Sequence, residues 1–550
     1  MRKRWLKIIA GLIAFLFMCL IGLILYVRIV ATIEPPVIAS PIHPKVTTLD
    51  GGLLVSGKNW FRKSESGLYE LYVEGTPYGR GAAIGALTQE LVQYQEKVFN
   101  DQIQQLVPSR SRLEVLKYVV GWFNRKLQEY VPEEYQQEIY GIAQAASSDY
   151  DYIAPAYQRI LNYHAAHDIG HALQNMSLVG CTSFATWSNH SADSTLIVGR
   201  NFDFYVGDEF ARNKIVAFYN PDKGHNFMMI TFGGMAGVLS GMNVEGLTVT
   251  INAAKAEIPG AAATPVSLVA REILQYASTI EEAYIIAEKR KLFVAESFLI
   301  GSANDGKAVI IEKSNDQTAL YETQHPYIIS TNHFQSDELG NTELNENHKK
   351  TSASVYRYNR VQELVEQSLG NDVRKTVSIL RNQKGISDAN IGLGNEKAIN
   401  QLIAHHSIVF QPEKKLVWIS TDPWQLGKYV CYDLNKIFGV SMTSNREVYE
   451  RELEIEEDPF LLTQSYRDFV KMGKYRFPFS PKDDLNPDSV VRWNPDSYLA
   501  HMLAGDWYVN RKDFERAATA YETALSKEIA TIAEKEHIQK NLEVCRKKLP

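Results

Sequence analysis

Residues 178–185 read LVGCTSFA and residues 199–204 read GRNFDF, and the texture of the chain changes between the two strings. Downstream, STLIVGRNFDF, KIVAFYN, NFMMITFGG and LTVTIN are short, rich in β-branched and aromatic residues, and separated by Gly, Asn or Asp. Such segments read as strands. In LTVTIN, Leu247, Val249 and Ile251 alternate with threonines and Asn252. One face therefore meets a core while the other carries polar groups. Two helices are expected next. Thr264 and Pro265 form an N-cap and first-turn pair, and Thr279 with Glu282 resembles a capping box ahead of AYIIAEKRK. Strands resume in ESFLIGSA, AVIIEKS and PYIISTN, then in SIVF and LVWIST joined by a QPEKK turn. Sheet, helices and sheet again predict an α+β fold with layered packing.

Upstream, the chain from GTPYGRGAAIGAL (75–87) to about Leu178 reads as largely helical, with glycines marking a turn into the first helix. Ile8 to Val27 carries no charged side chain, and Arg2, Lys3, Arg4 and Lys7 precede it. A run of that length predicts a membrane anchor, and the charge asymmetry places the remainder outside the cytoplasm, periplasmic or extracellular. A cleaved signal peptide is the alternative reading. The expected organisation is an anchor at 1–30, a Pro-containing linker at 31–64 and a helical segment at 65–180. A catalytic segment at 181–445, an acidic linker at 446–495 and a helical tail at 496–550 follow. Gly505, Tyr508, Ala517, Tyr521 and Ala524 stand in tetratricopeptide-like register in that tail. Because one repeat cannot bury its own face, the tail is expected to dock on the catalytic segment, and a protein partner through it stays open.

The 550 residues exceed one ordinary core, and a net charge of -6 gives no basic footprint for nucleic acid. Four cysteines, at 19, 181, 431 and 545, form neither a CxxC pair nor a disulfide framework. Cys181 is the one set in a chemically suggestive string. An N-terminal Cys enzyme needs a thiol, a base and donors for a tetrahedral oxyanion. If the chain cuts itself after Gly180, the freed α-amino group of Cys181 is that base, with an ordinary pKa of about 7.7 to 8.0. Gly180, lacking Cβ, suits the strained peptide that such an attack demands.

From GTPYGRGAAIGAL through GCTSFA, GRNFDF, GMNVEGLTVTIN, STNHF and SASVYRYNR to LVWISTDPWQLGKYVCYDL, the chain resembles the acyl-coenzyme A:6-aminopenicillanic acid acyltransferase family. That family is related to choloylglycine hydrolases, acid ceramidase and phospholipase B-like proteins. The resemblance spans about residues 65 to 440. It implies a four-layer αββα sandwich of the N-terminal-nucleophile type, self-cleavage between Gly180 and Cys181, and attack on amide bonds. By the same resemblance Cys181 is the nucleophile and Arg200 and Asp203 are the pair beside it. Asn252 donates to the oxyanion, with Asn243 as a competitor better suited to a turn. Asn332 is a second active-site asparagine and Arg357 a distal arginine, with Arg360 a near alternative. No cofactor and no metal are implied.

His164, His167 and His171 share one helical face at metal-ligand spacing, but nothing nearby completes a site, so packing is the expected role. His405 and His406 read as strand-entry residues. The expected function is an autoproteolytic cysteine amidohydrolase or acyltransferase that forms a thioester on Cys181 with a small or lipid-like N-acyl compound. A phospholipase B or ceramidase-like lipid hydrolase and a non-catalytic membrane-anchored scaffold remain as alternatives.

Overall fold

The computed structural model describes residues 2–549 apart from 174–179, 206, 256, 258–261, 439–441, 443 and 477–483. Among the described residues there are two sheets. The first has eleven strands whose spatial order is their chain order: Thr47–Thr48, Leu54–Ser56, Asn59–Lys63, Tyr69–Gly75, Ile215–Pro221, Phe227–Thr231, Ser240–Asn243, Leu247–Ala253, Glu296–Ser302, Lys307–Lys313 and Thr318–Tyr321. All its pairings are antiparallel except the junction of Tyr69–Gly75 with Ile215–Pro221, which is parallel. The second sheet has six strands in the order Tyr327–Ser330, Thr182–Thr186, Ile197–Phe202, His406–Gln411, Leu416–Ser420 and Tyr429–Asp433.

Side-chain alternation turns these sheets into layers. Val216, Phe218, Met228, Ile230, Leu299 and Ile310 of the first sheet meet Val198, Ile328, Ile408, Phe410, Val417 and Ile419 of the second. Their neighbours along the strands, Ala217, Tyr219, Met229, Val249, Ile251 and Ile300, turn outward. They pack on helices Pro77–Leu87, Glu133–Ala143 and Val266–Tyr276. Phe184, Ile197, Ile329, Val409 and Trp418 cover helices Ser354–Gln367 and Val373–Leu380 on the other side. The observed order is helix, sheet, sheet, helix.

Several expectations change. The glycines of GTPYGRGAAIGAL serve helix packing more than a turn: a Cβ on Gly81 would lie 2.0 Å from the Glu138 carbonyl oxygen, where two helices touch. Thr264 is not a cap. Its hydroxyl donates to the Tyr130 carbonyl, and Pro265 takes the N-cap position. The Thr279 cap forms as read, accepting from Glu282 N at 3.3 Å. The linker assigned to 31–64 supplies the first three strands, held by ring stacking of Trp60 on Tyr72 and Phe61 on Tyr69.

The expected anchor is not supported. A helix runs over Arg2–Val30, but among the described residues no helix is long and apolar enough to cross a membrane. The end of the apolar run belongs to the folded body. Tyr26 packs on Trp122, Gln158 donates to the Ala31 carbonyl at 2.6 Å, and Ile33 is buried.

The acidic stretch is not a plain linker, since Ile455 exchanges backbone hydrogen bonds with Tyr429 and helix Gln464–Gly473 follows. The two helices of the expected hairpin form as part of a larger helical unit. Helices Tyr498–Asn510 and Phe514–Leu525 share a cluster with Ile538, Leu542 and Cys545 of a third helix, Ile532–Lys548. That helix covers the face one repeat would leave open. The unit is tied to the body by Asn395, which donates to the Glu528 carbonyl at 2.8 Å, and by the Lys397–Glu528 ion pair.

Candidate active site

Antiparallel register gathers the site. Ser183 pairs with Arg200 on one side and with Ser330 on the other. Cys181 before the first strand, Asp203 after the second and Asn332 after the third therefore lie at one end of the sheet. His406 opposite Phe202 extends the row.

Cys181 is 0% exposed. Burial pushes its thiol up to about 11, opposed by the Arg200 guanidinium. Arg200 Nη2 donates toward Sγ at 3.7 Å. Its Nη groups also donate to the Leu239 carbonyl at 2.5 Å, the Ser240 hydroxyl and the Ile251 carbonyl, which fix the cation, while Nε makes no hydrogen bond. A thiol so high on the scale attacks only if a base removes its proton.

Asp203 is buried and neither carboxylate oxygen accepts a hydrogen bond. Burial raises its pKa to about 7, against the charges of Arg357, Arg476 and Arg200. Its carbonyl accepts from the Gly180 N–H at 2.9 Å, one peptide before the candidate cleavage bond. A buried carboxylate without a partner is costly unless a cation arrives.

The two asparagines are engaged differently. Asn252 accepts from the Ser183 hydroxyl at 2.8 Å and donates to the Ser330 and Thr331 carbonyls at 2.9 and 3.2 Å. Its amide joins the two sheets near Cys181. Asn332 donates to the Ala253 carbonyl at 2.9 Å and accepts from Arg357. Arg357 also donates to the Glu396 carbonyl at 2.8 Å and is the largest of the cationic influences on Asp203. Arg360 faces Glu363 and Asp388 instead, away from this group. Asn243 donates to the Leu274 and Ala277 carbonyls and accepts from Glu245 and Leu247 N–H groups, a turn and packing role.

His164 is spent internally, donating to the Ile160 carbonyl and accepting from Ala236 N. The side chains of His167 and His171 lie outside the described residues. His405 and His406 are fully buried around Phe202, and His406 hydrogen-bonds the same Ser240 hydroxyl that Arg200 holds. Their burial holds both imidazoles neutral, His405 down to about 3.

Three residues of the site carry no local signal in the sequence. Gln401 donates to the Gly180 carbonyl at 2.7 Å. Arg476, from the stretch expected to be a linker, donates to the Gln401 carbonyl at 2.8 Å and adds its charge to Asp203. Glu396 is raised to about 7 by burial and by the charge of Glu534 from the tail, against Arg476 and Arg357.

A buried thiol beside a fixed guanidinium and a buried carboxylate whose oxygens accept no hydrogen bond thus lie at one end of the second sheet. Residues 189–423 match the family model of acyl-coenzyme A:6-aminopenicillanic acid acyl-transferase. The matched segment carries several of the motifs read above and is less than half of the chain. The segment contains Arg200, Asp203, Asn252, Asn332 and Arg357, and begins after Cys181. An uncharacterised protein of Archaeoglobus fulgidus is 25% identical over 409 residues, 65% of this chain and 65% of that protein. The chain thus spans about two thirds of the length of that relative. Two solved structures are similar over part of the chain. An N-acylethanolamine-hydrolysing acid amidase ortholog of Caenorhabditis elegans gives a TM-score of 0.31 at 18% identity, covering 42% of this chain and 93% of that one. A mutant conjugated bile acid hydrolase of Clostridium perfringens gives 0.31 at 14%, covering 49% and 96%.

Proposed function

We propose that the protein is a self-processing cysteine amidohydrolase or acyltransferase acting on an N-acyl compound, with Cys181 as nucleophile. The observation that carries this reading is the Asp203 carboxylate, buried with both oxygens lacking a hydrogen-bond donor, on a residue whose carbonyl accepts from the Gly180 N–H. Cutting the Gly180–Cys181 peptide creates an α-ammonium near Asp203, able to supply the hydrogen-bond donor its carboxylate lacks. The pair orients the amine, and the neutral amine is a base of suitable strength for the thiol.

In the reaction the amine takes the thiol proton and Sγ adds to the substrate carbonyl. Collapse of the tetrahedral intermediate expels the amine of the substrate, which receives the proton, and leaves a thioester on Cys181. Water then yields hydrolysis, whereas a second amine yields acyl transfer. Arg200 holds its charge by the sulfur throughout. Arg357, beside Asp203 and Asn332, is suited to an acidic group on the substrate. The substrate class is a small or lipid-like N-acyl amine.

The test compares wild type with Cys181→Ala by electrophoresis and N-terminal sequencing, followed by hydrolysis of a panel of N-acyl amides and the matching esters. Wild type is expected to give a fragment beginning Cys-Thr-Ser-Phe and amide-cleaving activity, and the variant neither. A folded wild type that stays intact and inert would sink the reading.

A further inference from the structure

Gln401 lies at the bond that maturation must cut. Its Nε2 donates to the Gly180 carbonyl oxygen at 2.7 Å, and the side chain is 1% exposed. A Cβ built on Gly180 would stand 2.3 Å from that nitrogen and 2.8 Å from Cδ, so the amide fills the space a larger residue at 180 needs. Gly180 is absent from the left-handed glycines among the described residues, so close approach and not backbone freedom explains it.

The loop presenting Gln401 is held on three sides. Arg476 donates to the Gln401 carbonyl at 2.8 Å and also to the Gly394 carbonyl. Asn201, inside GRNFDF, donates to the Ile399 carbonyl at 3.0 Å. Leu402 N–H donates to Asn400 Oδ1 at 3.0 Å, with Leu402 at φ +56°. A leucine in the left-handed region is rare, and such positions persist where surrounding contacts over-determine them.

We propose that Gln401 is the oxyanion donor for cleavage of the Gly180–Cys181 peptide, with Arg476 as its positioning residue; the inference rests on the self-processing reading above. Attack by the thiol forms an Sγ–C bond to the Gly180 carbonyl carbon and moves the carbonyl π electrons onto oxygen. Negative charge therefore grows on the atom that Gln401 contacts. Collapse breaks the C–N bond, and the proton lost by the thiol ends on the Cys181 nitrogen. Water then cleaves the thioester, giving a Gly180 carboxylate and restoring the thiol. A side-chain amide suits this step because it donates in a fixed direction without titrating. The arrangement makes maturation depend on the C-terminal part of the chain, since Arg476 reaches the loop from beyond residues 189–423.

The experiment follows full-length chains during cell-free translation by gel electrophoresis. Gln401→Leu removes the donor at similar volume and is expected to slow appearance of the Cys181 fragment by about 100-fold, the scale for loss of one oxyanion donor. Gln401→Glu is nearly isosteric and accepts instead of donating while ionised. Its rate relative to wild type is expected to rise as pH falls and the carboxyl gains a proton. Arg476→Met is expected to slow cutting, with Arg476→Lys restoring part of the rate. Cutting of Gln401→Leu at the wild-type rate, or a Gln401→Glu profile parallel to wild type, overturns the role of Gln401 alone. A folded wild type that never cuts overturns the self-processing reading with it.

Discussion

Arg200 stands 3.7 Å from the Cys181 sulfur while the carbonyls of Leu239 and Ile251 hold its Nη groups. The charge by the thiol is thus set by sheet packing and not by a mobile side chain. Arg200→Lys keeps a cation but loses the fork that reaches several acceptors at once. Self-cleavage near neutral pH is expected to fall by about 10-fold or more, with its pH midpoint moved upward because the thiolate is less favoured. A gel time course across a pH series reads both; an unmoved midpoint removes Arg200 from thiol ionisation.

Asp203 makes a prediction whose sign reverses on cleavage. In the uncut chain its pKa is raised from 3.8 to about 7 by burial. Between those values the folded state holds a proton the unfolded state has lost, so this group's contribution falls as pH rises toward 7. The full effect is on the order of 4 kcal/mol. In a Cys181→Ala background, Asp203→Asn is expected to raise the melting temperature at about pH 8 and change it little below about pH 4. In the cut protein the same change removes the partner of the α-ammonium and is expected to lower stability. Equal effects in both forms would refute the pairing.

Arg357 and Arg360 are one helical turn apart yet differ in environment. Arg357→Lys is expected to reduce kcat/KM by roughly 10 to 100-fold, through loss of the directed contacts to Asn332 and the Glu396 carbonyl. Arg360→Lys leaves the ion pairs with Glu363 and Asp388 formable, and activity is expected to stay within about twofold. Steady-state kinetics on a common N-acyl substrate separates them, and equal losses would deny Arg357 its place in the site.

Gly180→Ala places a methyl against the Gln401 amide, whose free end is able to swing away. Folding is expected to survive, with a melting temperature within a few degrees, while cutting slows by about 10-fold or more. Pulse labelling and a thermal melt check the two halves separately, and wild-type cutting would show that the close approach is irrelevant.

Much of this was legible in the chain because the motifs are local. Cys181 and Asp203 flank two adjacent strands, Arg200 lies in the second, and the short spacing between them shows in the sequence. The choice between Arg357 and Arg360 required the packing of their helix, since both stand in one short motif. Gln401 and Arg476 sit in irregular segments without periodicity, and their importance comes from contacts 221 and 75 residues away. The strands between Thr47 and Lys63 were hidden by the proline-rich residues before them. A helix over Arg2–Val30 follows from the apolar run, whereas the packing of Tyr26 on Trp122 near its end had no local signal.

The parallel pairing of Tyr69–Gly75 with Ile215–Pro221 joins a strand from before the proposed cut to one from after it. A nick at Gly180 would leave that seam intact, so the two pieces would travel as one particle and come apart only in denaturant. Assembly would then have a direction in time. The unbroken precursor folds as a single molecule at a rate independent of concentration, whereas separated halves must first find each other and then add a strand to the middle of a sheet. Once unfolded, the mature enzyme is therefore expected to recover poorly, which makes the uncut chain the form that carries the folding information.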